Sequence, residues 1–451
     1  MRILSVLLFI AGTGLFSAAQ PVSKSLAGFF RSGVYCEFNP ENGNDIFSSI
    51  YGDVGAKADL RNDKNFRAYA DIRYRYGSEF RSTVSDFQLR EAWISLFGRK
   101  FELIMGQRIV KWGRADFDNP TSSFNPRNLI VRSPEKEDMD LGNISASLIF
   151  KPSGIISLEA IVTPLYRPDV LITSVVGLPD IVVIEDIDGL QGGEGMAGYG
   201  IKADFFLKGA DLSLSWFNGN EPLPGLLLSD VSVAIVGEVP DIDISMSVTP
   251  YRVSRLGFDF EAVAGRFGIR GEASWTRPEM SFREYGYVPM PEIEWASGTD
   301  IMIGDFMIGA EYIGKYITDY ETSPVDPVVP GEIPALTPEQ IAMIPGGIEG
   351  YISQQTTAFN RLYMYQLERS YHSVGLRAEA DLLTGRLTPG INGLYNFTTG
   401  DLVLVPSIKV SPADGLLIIA GADIYNGREG SLYDIIERRL SNWFFSMRVV
   451  F

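Results

Sequence analysis

The sequence predicts an all-β fold, a closed antiparallel transmembrane β-barrel of about eighteen strands, with sixteen as the alternative count. Three observations predict it: hydrophobicity alternates with a period of two, connections alternate between short and long, and aromatic residues gather at segment ends. From Ile50 to Leu60, for example, Ile50, Val54, Ala56, Ala58 and Leu60 share one parity, and Asp53, Lys57 and Asp59 share the other. Successive strand side chains point to opposite faces, so such a segment separates an apolar from an aqueous environment. The pattern returns with Phe66 to Tyr74 against Arg67 to Arg75, and with Val374 to Ala380 against Ser373 to Asp381.

In chain order, residues 1–19 read as a cleaved secretory signal peptide. Arg2 precedes an apolar stretch from Ile3 to Phe16, and Ser17-Ala18-Ala19 supplies the small residues of a cleavage site before Gln20. Residues 20–451 then form one barrel domain. Alternating segments fall near 26–38, 46–61, 65–78, 86–98, 101–111, 140–151, 154–164, 197–208 and 210–218, and then near 251–265, 267–277, 290–303, 306–318, 370–384, 386–397, 400–411, 415–426 and 441–451. Short turns such as 61–65, 98–101 and 265–267 belong to one rim, and the long loops 111–140, 164–197, 218–251 and 318–370 to the other. Short periplasmic turns and long extracellular loops are the outer-membrane arrangement. On the apolar parity, Tyr76, Tyr199, Trp216, Trp275, Tyr395 and Trp443 mark the long-loop end, and Phe66, Phe205, Phe267 and Phe306 the other, as two interfacial belts would. The final strand ends in an aromatic, Phe451, which resembles the carboxy-terminal assembly signal of bacterial outer-membrane barrels.

Composition narrows the function. With 45% hydrophobic and 12% aromatic residues the chain is not disordered, and a formal charge of -17 offers no footprint for nucleic acid. A single cysteine, Cys36, and a single histidine, His372, supply neither a disulfide nor a zinc site, so no metal and no cofactor are expected. His372 and Ser373 point to opposite faces of one strand, and no enzymatic activity is expected.

The inward parity is charged and its signs are unevenly distributed, with Arg255, Arg270, Lys315 and Arg377 interrupting the acidic side and local pairing of wall charges as the alternative to a field across the lumen. Lys57, Arg61, Arg67, Arg73, Arg75 and Arg108 come from segments two to five. Asp259, Glu261, Glu272, Glu294, Asp300, Glu311, Glu379 and Asp381 come from segments ten to fourteen. In a closed barrel these groups face one another, so Lys57, Arg67, Arg73, Arg75, Arg108, Asp259, Glu261, Glu272, Glu311 and Glu379 are read as pore-lining, with a transverse field between them. After segment five the chain runs Gly106-Gln107, then Trp112-Gly113, Asp116, Asn119-Pro120 and Asn125-Pro126. This run of about 30 residues resembles a porin-like family of uncharacterised outer-membrane proteins marked by G-Q-x-x-x-x-W-G-x-x-D and N-P. In general porins the third outer loop folds inward and narrows the barrel. That likeness implies a constriction at Lys111, Arg114, Asp116, Asp118, Arg127 and Arg132. The bare turn chemistry of the two Asn-Pro pairs, with Trp112 as a rim anchor, is the alternative.

Other long loops are apolar at Val170 to Val176, Ile181 to Ile184, Leu226 to Leu228 and Val231 to Val236. They either pack on one another above the barrel or line a greasy vestibule. Thr337-Pro338-Glu339 reads as the start of a short helix in the loop 318–370. The expected function is an outer-membrane channel for diffusion or weakly selective uptake of small polar solutes. A transporter of hydrophobic small molecules is the second reading, and an adhesin or structural barrel the third. Expected partners are outer-membrane lipids, the barrel assembly machinery and small-molecule solutes, with a homo-oligomer compatible.

Overall fold

The computed structural model describes residues 23–38, 46–62, 64–171, 182–185, 187, 189–236, 239–323, 325–327 and 347–451. The expected signal peptide and the expected helix start at Pro338 lie outside the described residues.

Alternation translates directly into strands. The first seven are β1 (Ser23–Glu37), β2 (Phe47–Asn62), β3 (Phe66–Glu79), β4 (Ser82–Phe97), β5 (Phe101–Arg108), β6 (Asn143–Phe150) and β7 (Ile156–Thr163). After β8 (Val182–Glu185) come β9 (Gly198–Leu207), β10 (Ala210–Asn220), β11 (Gly225–Val236) and β12 (Val239–Thr249). The second half holds β13 (Arg252–Ala264), β14 (Phe267–Pro278), β15 (Glu292–Ile303), β16 (Phe306–Ile317), α1 (Gly347–Tyr363), β17 (Ser370–Ala380), β18 (Leu387–Asn396), β19 (Leu402–Ala413), β20 (Leu416–Asn426), α2 (Leu432–Leu440) and β21 (Asn442–Val450).

Eighteen of these strands form one sheet. Each pairs antiparallel with its chain neighbour, and β1 pairs antiparallel with β21, which closes the barrel. Closure leaves no row of unpaired backbone groups, the condition a bilayer imposes on a sheet. On β2, Tyr51 and Asp53 are each 2% exposed while the alternating Ile50 and Val54 are 44% and 51% exposed. The outward face is thus the apolar one, and Leu26, Tyr76, Tyr199, Trp275, Phe306 and Trp443 stand exposed on it. Several short turns are two residues long. Gly265 and Gly304 take φ of +65° and +61° there, a left-handed conformation that glycine adopts without a Cβ clash.

Strand boundaries differ from the sequence expectation at a few ends. β4 begins at Ser82, because Phe80 and Arg81 take positive φ and make a tight turn where a longer link was expected. β5 stops at Arg108, where its chain turns inward. Of the apolar loop segments, residues 172–181 lie outside the described residues, and those at 182–184, 226–228 and 231–236 do not hang free. β11 and β12 form an antiparallel hairpin, and β8 adds to it in parallel, with Val182 opposite Ile244. Helix α1 locks onto this hairpin through Asn360, whose side chain donates to the Leu226 carbonyl at 2.8 Å and accepts from its N–H at 2.9 Å. Helix α2 was not expected from sequence. Ser431 caps it by accepting from the Asp434 N–H at 3.3 Å.

Phe451 extends the seam beyond β21. Its carbonyl accepts from Gly28 N–H at 2.8 Å, and its own N–H donates back at 2.9 Å. Deleting Phe451 removes both bonds and a terminal aromatic 77% exposed on the barrel's outside. The expected outcome is a lower ratio of heat-modifiable folded band to total synthesised chain on an unheated gel. An unchanged ratio would show that the terminal residue is dispensable.

Candidate functional site

The segment between β5 and β6 does not project from the rim. It turns into the barrel and crosses the lumen, and its first anchors are internal. The Asn125 side chain accepts from Val110 N–H at 2.7 Å and donates back to the Val110 carbonyl at 2.5 Å. Asn119 donates to the Trp112 carbonyl at 2.9 Å. The two Asn-Pro pairs therefore staple the loop to its own start. Trp112 is 3% exposed, packs edge-on against Phe124 at 4.8 Å and donates to Glu159 at 3.2 Å, so it is an interior residue and not a rim anchor. Phe124 in turn meets Phe217 of β10 at 4.9 Å.

One side of the loop docks on the acidic wall. Glu272 of β14 accepts the N–H groups of Arg114 and Ala115, the latter at 2.6 Å, and the Thr121 hydroxyl at 3.2 Å. Glu311 of β16 accepts the N–H groups of Asp116 at 2.9 Å and Phe117 at 3.1 Å. The Arg114 guanidinium meets Asp259 at 2.7 Å and Glu261 at 2.9 Å, and the Asp116 carboxylate bridges Arg270 and Arg377. The wall is hollowed to receive the loop. A Cβ at Gly375 would lie 2.5 Å from the Phe117 ring, one at Gly257 would lie 2.9 Å from Thr121, and one at Gly200 would lie 2.8 Å from Trp112. Gly113 takes φ of +87°, and a Cβ there would collide with the Asn119 side chain and the Glu272 carboxylate.

The other side docks on the basic wall. A short 3-10 turn at Lys136–Met139 presents Asp138, whose carboxylate meets Arg31 at 2.6 Å, Arg90 at 3.2 Å and Arg73. Glu135 bridges Arg31 of β1 at 3.0 Å and Arg448 of β21 at 2.6 Å. The Arg132 carbonyl accepts from Arg75 at 3.0 Å, its N–H donates to Glu79 at 2.8 Å, and its guanidinium lies 4.4 Å from the Phe80 ring centre. Burial disfavours charge on Asp138, but the guanidiniums of Arg31 and Arg73 outweigh it and hold that carboxyl well below the usual carboxylate range.

The expected constriction residues therefore divide. Arg114, Asp116 and Arg132 are anchors between loop and wall, Asp118 opens onto a cavity above the loop, and Lys111 is exposed. Arg127 lines the same cavity, and its N–H donates to the Asp169 carboxylate at 2.7 Å. The expected wall residues divide too. Asp259, Glu272 and Glu311 lie beneath the loop at 1, 3 and 1% exposure, and Arg73 and Arg75 are likewise covered. Toward the short-turn rim the Lys57, Arg67 and Glu261 side chains remain 44, 40 and 57% exposed. Arg108 pairs with Glu159 at 2.8 Å, and Glu379 lies 3.9 Å from Lys409. Sequence reasoning missed Glu135, Asp138, Arg31, Arg90 and Arg448. Arg31 and Arg448 sit on the inward parity of the first and last strands, a signal that was present in the alternation. Among the described residues no group of three metal-ligating side chains converges.

The same barrel occurs in solved porins. Pseudomonas aeruginosa OccD3 (OpdP) superposes with a TM-score of 0.53 at 11% identity, covering 95% of this chain and 91% of that one. The chain shares the fold of the Occ and OprD porins. Pseudomonas aeruginosa OccK2 (OpdF), solved in complex with glucuronate, gives a TM-score of 0.52 at 8% identity over 95% and 97% of the two chains. Acinetobacter baumannii OccAB4 gives 0.51 at 9% identity over 95% and 97%. No protein-family profile matches the chain, and no curated protein matches it in sequence. At these identities the likeness to the porins is one of fold.

Two outcomes follow from the docking geometry. Glu311→Leu removes the acceptor of the Asp116, Phe117 and Asp118 N–H groups, at about 1–3 kcal/mol for each donor left unsatisfied. Limited proteolysis of the folded barrel should then cleave within residues 111–140 faster than in wild type. Burial lifts the Asp169 carboxyl to about 7, against the opposing hydrogen bond from Arg127 N–H. Its folded state binds the proton more tightly than the unfolded chain does, so the stabilisation is fully present below the unfolded value and is lost as pH rises through about 7. Denaturation midpoints at pH 5 and pH 8 should accordingly shift in favour of Asp169→Asn at the higher pH.

Proposed function

We propose that this protein is an outer-membrane channel for small solutes, in which the loop between β5 and β6 forms the constriction. The observation that carries the reading is the loop's two-sided attachment inside the barrel. It is held to carboxylates of β13, β14 and β16 on one side and to arginines of β1, β3, β4 and β21 on the other. A barrel serving only as an anchor or adhesin has no use for a segment pinned across its lumen. A graded pore does, because the segment sets the narrowest passage while the wall keeps its diameter. The likeness of Gly106 to Asn125 to an uncharacterised porin-like family fits this reading, and so does the porin fold.

Lys57, Arg67, Glu261 and Glu379 are proposed to line the passage on the periplasmic side of the loop, and Arg108, paired with Glu159, to line the wall where the loop begins. Lys111, Arg114, Asp116, Asp118, Arg127 and Arg132 are proposed to shape the constriction. A charged passage of this kind suits polar solutes. The apolar cavity above the loop favours a second reading, a transporter of hydrophobic small molecules, in which the vestibule collects the solute first. In either case assembly of the barrel would be assisted through Phe451, and the outer apolar belt would meet outer-membrane lipid.

Planar-bilayer conductance tests the channel reading. Wild-type protein should conduct. Glu261→Gln should weaken cation preference and Arg67→Gln strengthen it, more at low salt where charges are less screened. Asp138→Ala leaves Arg31, Arg73 and Arg90 facing an absent carboxylate, a loss of about 3–5 kcal/mol for a broken buried pair. That should free the loop and raise conductance or its noise. Silent bilayers with demonstrably folded protein would remove the open-channel reading.

A further inference from the structure

Above the loop, the three-stranded sheet, α1 and α2 enclose a cavity of about 700 Å³. That is within the size range of small-molecule sites. Its sides are apolar, formed by Ile244 and Met246 of β12, Ile352 and Phe359 of α1, and Ile436 of α2. Its floor is the inward loop, with Phe117 and Asp118, beside Glu294 and Lys315 of the wall.

The charges on the floor are unevenly satisfied. Lys315 is fully occupied, donating to Glu294 at 2.9 Å, to Glu292 at 3.1 Å and to the Met364 carbonyl at 3.1 Å. The Asp118 carboxylate is open to the cavity and takes no ion pair among the described residues. Its backbone N–H lies 3.5 Å from Glu311, which ties the loop to the wall there and leaves the carboxylate itself without a counter-charge. An entirely apolar occupant would strip water from this carboxylate and give nothing in return, and an anionic one would face Asp118, Asp169, Glu294 and Asp401 with only Arg127 and the already paired Lys315 to offset them. An occupant with an apolar body and one ammonium satisfies both parts of the cavity. The Phe117 ring at the same floor already carries the Lys136 ammonium 5.4 Å from its centre, so it adds apolar edge to the floor, and the carboxylate is the group left for a cation.

We propose that this vestibule is a binding site for an amphipathic amine, with its apolar body held between β12 and α1 and its ammonium on the Asp118 carboxylate. Consistent with an unmet cation, burial and then the neighbouring Glu294 charge raise the Asp118 carboxyl to about 6, and a bound ammonium would lower it again. The proposal rests on the channel reading only for the direction from which the amine enters.

The test uses the full-length protein in lipid nanodiscs and three fluorescent probes. Each carries a dansyl group on an undecyl chain, ending in a primary amine, a hydroxyl or a carboxylate. The amine probe should bind about tenfold or more tighter than the carboxylate probe, read from the blue shift of dansyl emission. Asp118→Asn should bring the amine probe down to the hydroxyl probe's affinity and leave the hydroxyl probe unchanged. Met246→Trp, which narrows the cavity from the β12 side, should weaken the binding of all three. Equal binding of the three probes by wild-type protein overturns the proposal without any variant. So does an amine signal that persists undiminished in Asp118→Asn. Conductance measured in parallel separates the two readings, because a conducting barrel that ignores the amine refutes this site alone, and an amine-binding barrel that never conducts refutes the channel alone.

Discussion

Everything inside this barrel depends on how a stretch of irregular backbone is satisfied away from bulk water. A segment that leaves the sheet carries its N–H groups with it, and unpaired they would make the inward course of the loop untenable. Glu272 and Glu311 resolve this by acting as acceptors for several donors at once, so two wall carboxylates replace a row of strand hydrogen bonds. Glycine hollows at 200, 257 and 375 let the backbone come close enough for those bonds to form. The loop's position is thus written into its neighbours as much as into its own residues.

The charge pattern serves structure before it serves transport. Seen as a row along the sequence, the basic wall suggests a bare positive surface. In three dimensions Arg75 is bracketed by Asp53 at 2.6 Å and Glu79, and Arg31 by Asp53 at 2.7 Å and Asp138 at 2.6 Å. Buried pairs like these are neutral networks that hold a geometry, and little of their field reaches a passing solute. What field remains belongs to the wetter band below the loop, where the same residue types stand exposed.

The strands were legible because a bilayer outside and water or polar contacts inside force a two-residue period on every one of them. Ile50 and Val54 must differ from Tyr51 and Asp53 whatever the loops do. The inward loop was legible only through a resemblance, and its anchors were not, because Glu135 and Asp138 sit in a polar stretch whose partners are strands apart in sequence. Helix α2 hid for a related reason. It is nine residues long with charged Arg438 and Arg439 in its last turn, and its apolar face acquires a purpose only beside the vestibule. The β11–β12 hairpin was half legible: apolar runs announced that something packed there, but not that β8 would join in parallel.

The seam between first and last strands carries an electrostatic fault. Arg31 and Arg448 stand directly opposite each other in the β1–β21 register, like charges on the inward face. Such a pairing opposes closure. Asp53 of β2 offsets Arg31 from within the sheet, and Glu135 spans both guanidiniums, so the counter-charge that reaches Arg448 is delivered by a loop more than three hundred residues earlier in the chain. Closing the sheet and seating the loop therefore favour one another, because the same carboxylate touches a guanidinium on each side of the seam.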